Sequence, residues 1–288
     1  MSFRLALAQC TYAPDNDNTK MARTYFELAR KAHADLIVFP EAFMGPYDEE
    51  HMRYINDPEP LEGPFATAID SMAAEFGMWV VYTITESNPQ GSLPFNTAIV
   101  TGSDGSKRGI YRKIHLFDAQ GYRESDRLSA GDSITPPTHA PFGSIGLAIC
   151  YDLRFPELSR AAALSGCQVM IYPSAWVSGQ GKVTQWETLL RARAIENCMF
   201  VAGVSRADTG YIGNSCVFGP DGALLARGEK TPWADMPKDL IDVSSNKTTM
   251  PSDSIEHEAL IVADIDLDCI NAVRESTPAL LHRRTDCY

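Results

Sequence analysis

Short apolar runs of strand length alternate with segments of helical spacing along this chain, and that alternation restricts it to layered α/β architectures. Residues 3–9 form an apolar run, and residues 36–39 form a β-branched and aromatic one that Pro40 stops. Further strands are expected at 78–84, 96–101, 108–113, 145–149, 168–172, 199–205, 214–218, 223–227 and 260–264. Helices are expected at 19–33, behind Asn18 or Thr19 as a cap, and at 65–76, 156–165, 182–197 and 266–275. Two hairpins resemble each other. Asn96–Val100 leads to a turn at Asp104-Gly105, and Asn214–Phe218 leads to one at Asp221-Gly222. The repetition hints at two similar halves packed face to face.

Residues 228–258 break the pattern. They hold Pro232, Pro237 and Pro251 and a polar run from Ser244 to Thr249, with little periodicity. A stretch of this kind is expected as an insertion or lid within one domain spanning 1–288.

Charge narrows the function classes. Lys and Arg number 25 against 37 Asp and Glu, a formal net charge of −12. With no basic run, nucleic acid and anionic membrane surfaces are poor partners, and a small-molecule substrate fits better. The seven cysteines are odd in number and form no C-x-x-C pair, which points to reduced thiols and a cytoplasmic setting. No stretch approaches 18 apolar residues, so no transmembrane helix is expected.

Chemistry concentrates where strands end. Cys150 closes the expected strand 145–149, and Tyr151–Phe155 turn into a helix that Pro156 can open. A residue on such a turn is presented at the sheet edge, and free N–H groups after it can bind an oxyanion. The competing reading for any cysteine is a small buried hydrophobe, and that is the reading for Cys167, Cys198, Cys216 and Cys269. A thiol nucleophile needs a base, and none of the six histidines lies in a cysteine-protease signature. Glu41 follows strand 36–39, and Lys113 closes strand 108–113. Each taken alone reads as a solvated charge. If the three strand ends converge, they bring together a base, a fixed cation and a nucleophile. Gly179-Gln180-Gly181-Lys182-Val183-Thr184 is a poor phosphate loop, because its glycine spacing is wrong and Val183 replaces the hydroxyl residue. His115 and Asp118 lack further ligands at metal spacing, so neither metal nor cofactor is expected.

Three segments, Val38-Phe39-Pro40-Glu41, Tyr111–Leu116 and Ile149-Cys150-Tyr151-Asp152-Leu153-Arg154-Phe155-Pro156-Glu157, resemble the signature blocks of the nitrilase superfamily, the carbon–nitrogen hydrolases. Tyr172–Ala175, Trp186–Asn197 and the tail from Arg283 match as well, so the resemblance covers nearly the whole chain. It lies nearest the branch of omega-amidases and deaminated-glutathione amidases. It implies a four-layer α-β-β-α sandwich, a homodimer or higher homo-oligomer, and a catalytic triad of Glu41, Lys113 and Cys150. A second glutamate is implied at Glu124, with Tyr47, Tyr151, Arg154, Ala175 and Trp176 in the substrate pocket. The implied activity is hydrolysis of a small carboxylic amide through a cysteine thioester, releasing ammonia. Nitriles or N-carbamoyl amines are the alternatives on the same fold. A catalytically idle interaction protein is the alternative from another class, and the intact Glu41, Lys113 and Cys150 speak against it.

Overall fold

Along the first strand, Leu5 and Leu7 enter one hydrophobic core while Ala6 and Ala8 enter another, and all four are fully buried. A strand covered on both faces is a middle layer, not an outer one. The computed structural model describes residues 1–13, 17–45, 47–48, 53–54, 56–91, 93–228, 247–248 and 258–287, without the side chains of 47, 48, 53, 247 and 248. Most of the insertion or lid expected at 228–258 therefore lies outside the described residues.

The first half runs β1 (Ser2–Gln9), α1 (Asn18–Lys31), β2 (Leu36–Val38), a short pair β3 (Tyr47–Asp48) and β4 (Arg53–Tyr54), α2 (Pro64–Phe76), β5 (Trp79–Glu86), β6 (Phe95–Thr101) and β7 (Lys107–Arg112). The second half runs β8 (Thr138–Ala140), β9 (Gly143–Leu147), α3 (Pro156–Leu164), β10 (Val169–Ser174), α4 (Lys182–Asn197), β11 (Phe200–Ser205), β12 (Cys216–Phe218) and β13 (Leu224–Arg227). β14 (Lys247–Thr248), β15 (Ala259–Asp266) and α5 (Asp268–Ser276) follow. The cap of α1 is Asp17, which accepts from the Thr19 N–H, and not Asn18 or Thr19 as the sequence led us to expect. Asn18 is buried, and its amide donates instead to the Phe43 carbonyl at 2.7 Å.

Among the described residues two large sheets form beside the β3-β4 pair, a seven-stranded one in the order β14-β15-β1-β2-β5-β6-β7 and a six-stranded one in the order β13-β12-β11-β10-β9-β8. In the first, β1, β2 and β5 are parallel, and β6 and β7 continue antiparallel. In the second, β9, β10 and β11 are parallel, and β12 and β13 continue antiparallel. The two halves thus share one topology, as the paired Asp-Gly hairpins suggested. Phe3, Leu5, Leu36, Val81 and Val100 of the first sheet share a core with Ile145, Ile171 and Val204 of the second. Helices α1 and α2 cover the far face of the first sheet through Tyr25, Phe26, Ile69 and Met72. On the second sheet α4 lies so close that a Cβ on Gly203 would fall 2.4 Å from the Trp186 ring. The result is the four-layer α-β-β-α sandwich of the nitrilase type.

Topology also aligns the strand ends. Two antiparallel steps from β5 make β7 parallel to β2, so Lys113 leaves the sheet at the same end as Glu41. Cys150 and Ala175 emerge from the ends of β9 and β10 in the facing sheet.

Candidate active site

Cys150 sits on a sharp turn between β9 and α3, with φ of 46°, a left-handed conformation that a non-glycine residue adopts only when its surroundings impose it. Asp152 supplies the constraint. It is fully buried and accepts the Ile149 N–H at 2.9 Å, bracing the turn from inside. The same carboxylate accepts the Tyr111 hydroxyl at 2.8 Å and the His115 N–H at 3.1 Å, and His115 Nδ1 lies 2.7 Å from it. Tyr111 and His115 flank Lys113, so Asp152 joins the turn that presents Cys150 to the strand end that presents Lys113. The His115 ring stacks on Phe155 at 3.6 Å, and Arg193 donates twice to the Leu153 carbonyl. The sequence reading passed over Asp152, although its place two residues after Cys150 was visible.

Lys113 is 2% exposed and Glu41 5%, against the solvated charges that each residue alone implied. The Lys113 Nζ lies 3.0 Å from Glu41 Oε1 and 2.8 Å from Glu124 Oε2. Glu41 Oε1 also accepts from Asn96 Nδ2 at 2.8 Å, and its Oε2 accepts the Ala175 N–H at 2.7 Å. Glu124 is fixed by the Phe117 N–H at 2.6 Å. Glu41, Lys113, Glu124 and Cys150 thus line one cleft of about 260 Å³. Burial, and then the charge of Glu41, push the Cys150 thiol well above its ordinary range, against the pull of Lys113. Burial works against the Lys113 ammonium, but Glu124 and Glu41 outweigh it and raise its pKa well above normal. Burial and the neighbouring Glu41 together favour a neutral thiol at rest. Among the described residues, no three His, Cys, Asp or Glu side chains are placed to hold a metal ion.

Of the expected pocket residues, Tyr151, Arg154, Ala175 and Trp176 all line this cleft. Tyr47 lies in β3, and its side chain is outside the described ones. The cleft also takes in Asn96, Tyr54, Arg127, Lys182 and Tyr211, none of which the sequence reading named for it. Arg154 donates to the neutral Gln185 at 2.8 Å and stands over the Trp176 ring at 4.9 Å. The Lys182 ammonium lies over the Phe117 ring at 5.9 Å, its pKa lowered by burial and by Arg154. Among the described residues no carboxylate pairs with either cation. Lys182 arrives from the Gly179–Thr184 segment rejected as a phosphate loop, whose Gly179 and Gly181 both have positive φ.

The carbon-nitrogen hydrolase family profile matches residues 4–241. The chain belongs to the carbon-nitrogen hydrolase family. Omega-amidase NIT2 of Homo sapiens is 31% identical, covering 100% of this chain and 97% of that protein. The deaminated glutathione amidase of Bos taurus is 33% identical over 99% of this chain and 83% of its own length. The crystal structure of Saccharomyces cerevisiae Nit3, a nitrilase-superfamily member, superposes with a TM-score of 0.80 at 29% identity, covering 100% of this chain and 97% of that one. This carbon-nitrogen hydrolase has no helix among its described residues long and apolar enough to cross a membrane.

Proposed function

We propose that this hydrolase cleaves a small primary carboxylic amide through a Cys150 thioester, releasing ammonia. The observation that carries the reading is Lys113 held between Glu41 and Glu124 in the cleft that Cys150 enters from its strained turn. Relatives named for omega-amide and deaminated glutathione hydrolysis support an amide over a nitrile.

Glu41 takes the thiol proton as the sulfur attacks the amide carbonyl. The new C–S bond places charge on the carbonyl oxygen, which the Lys113 ammonium and the Tyr151 N–H receive. Glu41 returns its proton to the amide nitrogen, the C–N bond breaks, and ammonia leaves. Water then gives a proton to Glu41 and attacks the thioester, with Glu124 holding Lys113 in place. The C–S bond breaks, the acid leaves, and the sulfur recovers its proton from Glu41. Arg154 and Lys182, with no acidic partner among the described residues, favour an acyl group that carries an anionic end.

Ammonia release against 2-oxoglutaramate, succinamate, deaminated glutathione, simple nitriles and N-carbamoyl amines tests the reading. Release from the amides, absent in Cys150→Ala, is expected. Release confined to nitriles or to carbamoyl amines, or equal release by Cys150→Ala, overturns it.

A further inference from the structure

Arg206 follows β11, is 3% exposed, and is spent on contacts behind the cleft wall. Its Nε donates to Asp208 Oδ2 at 2.7 Å, and its Nη1 donates to the Ala42 carbonyl at 3.2 Å. The guanidinium lies over the rings of Tyr12 and Tyr211, 4.7 and 5.6 Å from their centroids. Its own N–H donates to Ser174 O at 3.1 Å, which ties Arg206 to the ends of β10 and β11 in the second sheet.

The group that Arg206 grips belongs to the other sheet. Ala42 follows Glu41 directly, and its φ of 56° is left-handed, a conformation that an alanine holds only under constraint. The next two carbonyls are held as well. Phe43 O accepts from Asn18 at 2.7 Å, and Met44 O accepts from Asn56 at 2.6 Å. Those are neutral donors from the first half of the chain. Arg206 is the charged clamp, and it reaches across from the second sheet.

We propose that Arg206 is a positioning residue for Glu41: it fixes the Ala42 carbonyl and so holds the turn that aims the Glu41 carboxylate at Cys150 and the Ala175 N–H. The role rests on the reading of Glu41 as the base. A fork of donors suits this task, because one guanidinium reaches Asp208 and Ala42 at once, whereas a lysine ammonium in its place cannot span both.

The test reads the rate at which iodoacetamide alkylates Cys150 at neutral pH, followed by mass on the peptide that carries it. The Glu41→Gln variant sets the rate of a site without the carboxylate. Arg206→Lys is expected to move the wild-type rate toward that value roughly threefold, what half a pKa unit at a thiol delivers, and to change nothing once Glu41 is Gln. Asp208→Asn, which loosens Arg206 while keeping its size and charge, is expected to give the same pattern. No change in the wild-type background, or an equal change in the Glu41→Gln background, overturns the proposal, because a merely structural role moves both alike. Alkylation needs no substrate, so failure here is distinguishable from failure of the amidase reading, which shows in the ammonia assay.

Discussion

Ala175, at the end of β10 in the second sheet, donates its backbone N–H to Glu41 Oε2 at 2.7 Å, across from the end of β2 in the first. The carboxylate is therefore oriented by both sheets at once. Its other oxygen is held by Lys113 and Asn96. A base fixed on both oxygens loses little freedom when it reacts, which is how packing between layers becomes catalytic positioning.

Glu41→Gln keeps the shape and the Ala175 contact but removes the proton acceptor. The account predicts a fall in kcat of about 10²–10⁴, the range for losing a general base, with KM little changed. Steady-state ammonia release checks it, and unaltered kcat counts against the assignment.

Lys182→Met removes one cation from the cleft, where Lys113, Arg127 and Arg154 remain, while keeping its apolar stem. For amides with a carboxylate at the far end, KM should rise roughly tenfold, the equivalent of one charge-assisted contact. For neutral amides of similar length KM should stay within about twofold, since no ion contact is lost. Equal effects on both substrates contradict the anionic acyl group.

Asp152→Ala removes a fully buried carboxylate that braces the Cys150 turn and the Lys113 strand end. Leaving its donors without a partner should cost about 3 kcal/mol or more, read as a lower midpoint in urea unfolding. A variant as stable as wild type shows that the brace is not needed.

Alkaline pH should weaken the fold through its buried thiols. Burial raises the Cys10 and Cys216 thiols well above normal and pushes Cys167 up to about 12. A pKa raised in the folded state means that stability is complete below the ordinary thiol range, near 8.5, and declines above it as the unfolded thiols ionise first. For Cys167 the decline continues toward its folded value of about 12. Unfolding free energies across this window should fall steadily, and a flat profile contradicts the burial argument.

Much of the fold was legible because local signals agreed with it. Asp104-Gly105 and Asp221-Gly222 do close hairpins, with Gly105 and Gly222 at φ of 79° and 84°. Pro156 does open α3. β8, a three-residue strand directly after Pro136-Pro137, was missed because so short an edge strand carries no period of its own. The pairing of β1 with β15 was illegible for another reason: its register joins Ser2 to Asp266, and no local pattern encodes so distant a partner. At the site, Cys150 stood out from its strand-to-helix turn, whereas Glu41 and Lys113 read as surface charges until the family resemblance and then the convergence of strand ends gave them partners. Lys182 at the start of α4, Tyr54 of β4 and Arg127 lie far apart in sequence, and only tertiary packing brings them to one wall.

The most direct test of the account is the covalent state of Cys150 during turnover. Quenching the enzyme while it hydrolyses an amide, then weighing the Cys150 peptide, should reveal a fraction heavier by the acyl group, the amide less ammonia. The Cys150→Ala protein should release no ammonia. Ammonia released at the full rate by that variant, with the wild-type Cys150 peptide unmodified throughout turnover, would contradict the central claim.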